Sequence, residues 1–356
     1  MCKTIFTNWF EDEFSKTMLH DHMVNTVEDS PYHREPNVWE HTKMVVESYT
    51  DQSPNVWNKY DLMSAIMCAF HDTGKPMSEE VLVRDNGTQY RRYTNHDVMS
   101  GNIFIDYVCS NRDHELLSGL SDIDIYNVWV MIAYHMPYKL SSDRVELLHT
   151  HLNYYGLVNI FTRGVFADAK GRIADNQNKT ESSSKSWCDN FRNLETKHEN
   201  TDESRWVILL CGCSGIGKTT YSTTLMKKYG TDAAYHSMDS LRLELYSEDY
   251  KTAFQMSVDD KEFGNKVTKD FNEKIKNYKY TIVDNTNLSW KRRKQYLNAK
   301  ATGGKAIVFV ADYATVLDRQ TNRSDKVIPS YAVERMYYSH RPVIIGEVDA
   351  IDVQGL

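Results

Sequence analysis

Apolar positions follow two different rhythms along the chain. Between residues 36 and 170 they recur at helical spacing, in "NVWEHTKMVVESY", "DLMSAIMCAF", "DIYNVWVMIAYH" and "LVNIFTRGVFADAKG". Pro, Gly, Asn and Asp punctuate the gaps, as in "DQSPN" and "RDNGTQ". This spacing predicts an all-α N-terminal domain. From residue 205 onward the rhythm changes to short apolar runs, "RWVILLCG", "AAYHSMD", "YTIVDNTN" and "KAIVFVAD", alternating with helical stretches such as "KTTYSTTLMKKY". Apolar strands alternating with helices predict an α/β domain with a parallel sheet. Between the two regions, "NQNKTESSSKSW" and "TKHENTDES" are too polar to bury much surface and predict a linker, interrupted by a short helix near Phe191. The expected boundaries are 1–180, 181–204 and 205–356, and no internal repeat is visible.

Composition narrows the class. A chain of 356 residues, 41% hydrophobic and 26% charged, has the balance of a soluble globular protein with two or three domains. No apolar run approaches the ~20 residues of a membrane span, so no membrane partner is expected. The start "MCKTIFTNWFEDEF" is acidic and aromatic, unlike a secretory signal. The six cysteines show no CxxC spacing, which argues against a zinc knuckle or a disulfide framework and for a reduced, cytoplasmic setting. The net charge of −7 divides unevenly: 23 Lys and Arg stand against 18 Asp and Glu from Arg205 onward, and 19 against 31 before it. A mildly basic second half suits a polyanion, but many solvated surfaces have the same balance.

The sharpest chemical signal is "GCSGIGKTT", residues 212–220, which fits GxxxxGK[ST]. Glycines let the backbone wrap a phosphate with successive N–H groups pointing inward. Gly212, Ser214, Gly215, Gly217, Lys218, Thr219 and Thr220 are the expected nucleotide-binding residues, with Lys218 on the β/γ-phosphates and the Thr219 hydroxyl on Mg²⁺. A strand before the loop and a helix after it supply the required context. ATP or another NTP is the expected ligand.

Further along, "HSMDSLRLELY" places Asp239 and Arg242 at the carboxyl edge of the sheet, where open α/β sheets hold ligands. A carboxylate there can accept a hydroxyl proton during in-line phosphoryl transfer. An N-capping Asp with a surface Arg would give the same pattern. Arg319 and Arg323, four apart in "LDRQTNRSDKVIPS", are placed on one helical face that Pro329 ends or turns, either as a clamp on the γ-phosphate or as a solvated face. Asp284 ends an apolar strand, the placement of a second metal-shell carboxylate.

Taken together, GxxxxGKT, S-x-D-x-x-R, D-x-TNL and R-x-x-x-R followed by "VIPSYAVERMYYS" resemble the kinase domain of phage-type 5′-hydroxyl polynucleotide kinases, over nearly all of residues 205–342. The resemblance implies that Lys218 and Thr219 hold the NTP phosphates and Mg²⁺, that Asp239 is the general base, that Arg242 binds the acceptor's phosphate and that Arg319 and Arg323 form a catalytic lid. Asp284-Asn285 stands where the phage-type enzymes carry Ser-Asp, so no role for Asp284 follows.

The N-terminal half carries three His-Asp pairs, at 20–21, 71–72 and 96–97. Only "FHDTGKP" follows a buried apolar helix that can anchor it, and Gly74 is expected to break that helix and leave Lys75 free to meet a phosphate. With His33 and His41 in "YHREPNVWEHT", His96 in "TNHDVMSG", His135 in "IAYHMPY" and Asp168 in "FADAKGR", the set H…HD…H…H…D resembles HD-superfamily phosphohydrolases, especially the HD domains appended to tRNA nucleotidyltransferases, over roughly residues 30–175. The resemblance implies a core metal on His41, His71, Asp72 and Asp168, a second position completed by His96 and His135, and His33 and Lys75 facing the scissile phosphate. A nitrogen-rich set favours Mn²⁺, Fe²⁺, Ni²⁺ or Zn²⁺ over Mg²⁺.

An HD phosphohydrolase followed by such a kinase resembles the bifunctional HD-domain polynucleotide kinases, which heal broken RNA ends. This implies removal of 2′,3′-cyclic, 2′- or 3′-phosphate by the first half and 5′ phosphorylation by the second, with RNA or DNA ends as partners and sealing left to a separate RNA ligase. A nucleotide phosphohydrolase fused to a nucleoside or metabolite kinase, a nucleotide-binding sensor, and a kinase beside a purely binding HD module are the alternatives.

Overall fold

The computed structural model describes residues 2–195, 205–297, 303–324 and 326–356. The chain divides into two compact units, Met1–Lys197 and His198–Leu356.

The first unit is mostly helical. Its main elements are α1 (Cys2–Asn8), α2 (Met18–Asn25), α3 (Val38–Gln52), α4 (Lys59–Phe70), α5 (Lys75–Ser78), the strands β1 (Glu79–Val83) and β2 (Gln89–Tyr93), then α6 (His96–Ser110), α7 (Asp122–Ala133), α8 (Ser142–Tyr154), α9 (Val158–Lys170) and α10 (Gln177–Arg192). α4 is apolar all round because it lies at the centre, packed against α3, α7 and α9, and every residue from Asp61 to Phe70 is buried. A capping box starts it: the Asn58 side chain accepts from the backbone of Asp61, and the Asp61 carboxylate accepts from the backbone of Asn58. Ser121 and Asp124 start α7 in the same way. The aromatic N-terminus is core, since Trp9 stacks on Phe70 at 5.9 Å and Phe14 meets the same ring edge-on at 5.3 Å.

Two features depart from the sequence reading. The expectation of an all-α domain misses the antiparallel hairpin β1–β2, which reverses at Gly87 (φ +79°) and is tied across its strands by Arg91–Glu79 and Arg92–Glu80 pairs. It is short and largely exposed, so its apolar alternation is faint. The expected linker over 181–204, with its short helix near Phe191, is helical up to Arg192: that helix is the end of the 16-residue α10. Its apolar contacts are confined to the C-terminal end, where Cys188 and Phe191 are buried, Phe191 against Phe161 at 5.8 Å, and Arg192 donates to the Thr162 hydroxyl at 2.9 Å. Ser and Lys fill the solvated face, which is why composition alone mimics a linker. Residues 196–204 of that expectation lie outside the described residues.

The second unit is a five-stranded parallel sheet in the order β4-β5-β3-β6-β7, made of β3 (Trp206–Cys211), β4 (Ala233–His236), β5 (Tyr280–Asp284), β6 (Gly303–Phe309) and β7 (Ala350–Gln354). Its helices are α11 (Lys218–Tyr229), α12 (Met238–Leu245), α13 (Tyr250–Asp259), α14 (Phe263–Asn277), α15 (Trp290–Leu297), α16 (Tyr313–Thr321) and α17 (Ser330–Tyr338). Central β3 is buried along nearly its whole length, as its unbroken apolar run requires. Behind the sheet's carboxyl edge, Arg293 of α15 is fully buried and pairs with both oxygens of Glu347 at 2.6 and 3.0 Å. The same guanidinium donates to the carbonyls of Asn287 at 3.1 Å and Arg341 at 3.0 Å.

Candidate functional site

In the first unit, five helices converge on one buried point. His71 caps the C-terminus of α4 and Asp72 follows it; His41 comes from α3, His96 from the start of α6, His135 from just past α7, and Asp168 from α9. The Nδ1 atoms of His71, His96 and His135 lie 2.8, 2.8 and 2.9 Å from the carbonyls of Cys68, Tyr93 and Ile132. A carbonyl only accepts, so each Nδ1 carries the proton and each bare Nε2 is aimed inward. Asp72 lies between two pairs of these rings. Its Oδ2 is 3.1 Å from His71 Nε2 and 3.4 Å from His41 Nε2, while its Oδ1 is 3.2 Å from His96 Nε2 and 3.7 Å from His135 Nε2. Asp168 Oδ1 is 3.2 Å from His41 Nε2.

Two groups of donors flank Asp72, His41–His71–Asp168 and Asp72–His96–His135, and a third, His33–Glu35–His41, adjoins them, each with all its ligand atoms within 4.8 Å of one another. Asp72 Oδ1 is buried without a hydrogen-bond donor, a costly arrangement for a carboxylate unless a cation faces it. Imidazole nitrogens with carboxylate oxygens are a fitting donor set for a divalent transition metal. The residues present therefore fit one or two cations with Asp72 between them.

The surroundings are rich in charge. Burial disfavours protonated His41, but the carboxylates of Asp168 and Glu35 outweigh it and raise the imidazole to about 9. Burial also opposes ionisation of Asp72 and Asp168, yet His71 and Lys75 around the former, and Arg172 and His41 around the latter, hold both far below the usual carboxylate range. His33 is pushed down to about 4 by burial and by the Lys75 ammonium, and His135 to about 3 by burial and by His71.

His33 sits beside the cluster, its ring 4.7 Å from that of His41. Lys75 is not free, as the sequence reading had it. It is buried, paired with Asp72 at 2.8 Å and with Glu28, and lies over the Tyr93 ring. Nor does Gly74 break the helix, which has already ended at Phe70. Glycine is needed because a Cβ there would come within 2.5 Å of the His96 carbonyl oxygen. Of the other His-Asp pairs, His20 bonds its own neighbour Asp21 on the surface and packs on Trp39, and His96 joins the cluster without Asp97.

Glu28, Glu35 and Arg172 carry the electrostatics of this centre and were not singled out from the sequence. Glu35 lies 3.3 Å from His41 Nδ1 and accepts from the Ile173 backbone at 2.7 Å. Arg172 pairs with Asp168 four residues earlier, a helical spacing visible in "FADAKGR".

In the second unit, the loop between β3 and α11 has the expected form. Gly215 and Gly217 have φ of +85° and +106°, a region that L side chains rarely adopt. Lys218 opens α11 and is buried, its ammonium donating to the carbonyls of Gly212 at 2.9 Å and Cys213 at 2.7 Å. Burial lowers its pKa, against the pull of Asp284. Thr219 and Thr220 are exposed in the first turn, and Ser214 is buried in the loop. Asp284 ends β5 and accepts from the Tyr235 hydroxyl at 2.8 Å.

Asp239 stands in the first turn of α12, but it is not the cap. Ser237 fills that position, accepting from the Ser240 backbone, which leaves the Asp239 side chain for other partners. Its Oδ1 accepts from Arg242 Nη1 at 2.7 Å and from the Tyr250 hydroxyl at 3.1 Å, and its Oδ2 accepts from Lys326. Burial would raise its pKa, but Lys326 and Arg242 keep the carboxyl below the ordinary value. Arg242 is more firmly held than a solvated arginine: its guanidinium lies 5.1 Å from the ring centres of both Phe254 and Phe263 and donates to Ser257.

Arg319 and Arg323 do not share a helical face. α16 ends at Thr321 with Asn322 at its cap, so Arg319 is exposed in the last turn and Arg323 lies half-buried in the segment beyond. Pro329 instead precedes the first turn of α17.

This geometry defines the C-terminal unit as a P-loop kinase-like domain. Residues 207–343 match the family model described as an AAA domain. The match supports phosphoryl transfer using a nucleotide and Mg²⁺. No curated protein matches the chain. Among solved structures, a gluconokinase from Sinorhizobium meliloti 1021 is similar at 14% identity and a TM-score of 0.31, over 42% of this chain and 82% of that one. Among the described residues no helix is long and apolar enough to cross a membrane.

Proposed function

We propose that the chain heals nucleic-acid ends, RNA foremost. The N-terminal unit removes 2′,3′-cyclic, 2′- or 3′-phosphate with metal assistance, and the C-terminal unit transfers the γ-phosphate of an NTP to a 5′-hydroxyl. The supporting observation is the pairing in one chain of a buried His/Asp cluster with a P-loop kinase-like domain that presents a carboxylate at the sheet edge.

In the N-terminal unit, His41, His71, Asp72 and Asp168 would hold one cation, and His96 and His135 with Asp72 a second. Such a cation, when bound, polarises a phosphoryl oxygen and makes water at the site more acidic. Glu35 and the three backbone carbonyls orient the imidazoles. His33, kept neutral by its surroundings, can pass a proton at Nε2, and Lys75 balances anionic charge beside Asp72.

In the C-terminal unit, backbone N–H groups of residues 212–218 receive the donor phosphates. The acceptor oxygen forms a bond to the γ-phosphorus as the bond to the β,γ-bridging oxygen breaks. The electron pair leaves with the nucleoside diphosphate, and Asp239 takes the hydroxyl proton.

The test offers the full chain an RNA with a 5′-hydroxyl and a 2′,3′-cyclic or 3′-phosphate end, with ATP, Mg²⁺ and, in turn, Mn²⁺, Ni²⁺, Fe²⁺ and Zn²⁺. Phosphate release and 5′ labelling are both expected. Labelling of a nucleoside or sugar with no labelling of RNA or DNA overturns the proposal.

A further inference from the structure

We propose that Lys326 is a positioning residue of the kinase site, fixing Asp239 relative to the phosphate loop. This rests on Asp239 acting as the base in the proposed transfer; Lys326 lies within "LDRQTNRSDKVIPS", but the sequence reading gives it no role.

The inference starts from the fate of each carboxylate oxygen. An ionised carboxylate accepts about four hydrogen bonds. Asp239 Oδ1 takes two, from Arg242 on α12 and Tyr250 on α13. Oδ2 takes Lys326, from the segment between α16 and α17. One lone pair of Oδ2 is left for an incoming hydroxyl, and the ammonium decides its direction. Lys326 is itself constrained, because its ammonium also lies 4.7 Å from the centre of the Tyr250 ring.

The backbone of Lys326 is anchored to the donor side. Its carbonyl accepts from Gln320 Nε2 at 2.7 Å, and Gln320 Oε1 accepts from the Ser214 hydroxyl of the phosphate loop at 3.1 Å. Gln320 is 2% exposed, and a Cβ on Gly215 would sit 3.4 Å from the Gln320 Cβ, so loop and helix are in close contact. A path of hydrogen bonds thus runs from the loop through Gln320 and Lys326 to Asp239 without passing through the sheet. It sets the separation of phosphate donor and proton acceptor, a quantity to which in-line transfer is sensitive: a displacement of about 1 Å can cost roughly 100-fold in rate. An incidental surface ion pair would leave the rate nearly unchanged.

The experiment compares wild type with Lys326→Met and Lys326→Arg in the full chain, by single-turnover transfer from saturating ATP to a 5′-hydroxyl RNA across pH. Lys326→Met should lower the transfer rate about 10- to 100-fold. Nucleotide binding should be unchanged. The acid limb of the profile should also move to higher pH. Arg242, Tyr250 and Lys326 are the groups facing Asp239, and loss of one cation makes that carboxylate easier to protonate. Lys326→Arg should keep both the rate and the limb close to wild type. An unchanged rate, or a lowered rate with an unmoved acid limb, overturns the inference, the second outcome marking a merely structural role. If wild type phosphorylates a small metabolite but no nucleic acid, the proposed function falls, and the same comparison on that acceptor still decides the role of Lys326. A wild type inactive on every acceptor overturns both.

Discussion

Glu35 touches no substrate in the proposed scheme, yet it should govern how tightly the N-terminal cluster holds a cation. Its carboxylate does two separable things: it presents negative charge to His41 Nδ1 at 3.3 Å, and it accepts from the Ile173 backbone at 2.7 Å. Glu35→Ala removes both and frees the His41 ring to turn. Losing such a support behind a metal ligand typically weakens binding about 10- to 100-fold, or roughly 1.4–2.8 kcal/mol. Glu35→Gln keeps an oxygen for Ile173 and for the His41 Nδ1–H, but not the charge, so its loss should lie near the lower end of that range. Calorimetric titration of the metal-free full chain with Mn²⁺ checks this order, with circular dichroism to show that both variants fold. Wild-type affinity in Glu35→Ala, or equal losses in the two variants, would refute the account of Glu35.

Other expectations can be checked separately. Lys218→Ala should abolish 5′ phosphoryl transfer while metal-dependent phosphate release persists, since the two sites lie in different compact units; loss of both activities in a folded variant would contradict this. Arg323→Ala should lower single-turnover transfer on the order of 10³-fold if the segment after α16 closes on the γ-phosphate. Arg323→Lys should recover only part of the rate, because it keeps charge without the planar fork, and normal rates for both remove the lid. Phe191→Ala should destabilise the N-terminal unit by about 3–5 kcal/mol in denaturant unfolding, because the ring is buried against Phe161 and Trp187. A linker residue would change stability by no more than about 0.5 kcal/mol.

The legible parts of this protein were those whose chemistry is local in sequence. The loop "GCSGIGKTT" directly follows its strand and contains its own turn and helix start, so Gly217 and Lys218 could be placed before any tertiary contact was known. His71 and Asp72 could be chosen over two rival pairs because the helix before them is apolar all round. What stayed hidden depends on contacts between distant segments. Glu28 reaches Lys75 from a loop without a motif, and Lys326 reaches Asp239 across the length of the domain. The short helix expected near Phe191 is the end of α10, whose full length is obscured for a different reason: its apolar contacts occupy one end, and the surrounding Ser and Lys dominate the average. The four-residue spacing of Arg319 and Arg323 suits one helical face, whereas α16 breaks after Thr321 at Asn322, a residue that commonly ends a helix.

The buried pair of Arg293 and Glu347 bears on how the second unit is completed during synthesis. Arg293 is translated well before its partner, and until Glu347 emerges its guanidinium has no carboxylate at that site. A buried cation lacking its anion costs about 3–5 kcal/mol, enough to keep α15 from settling. Yet Arg293 also grips the Asn287 carbonyl, and the Asn287 side chain in turn donates to the Leu210 carbonyl of β3, one residue before the end of that strand. The strand that leads into the phosphate loop, made early, therefore waits on a carboxylate made late. A ribosome stalled between positions 297 and 347 should expose a nascent kinase unit that is protease-sensitive around this turn, while the N-terminal unit is already folded.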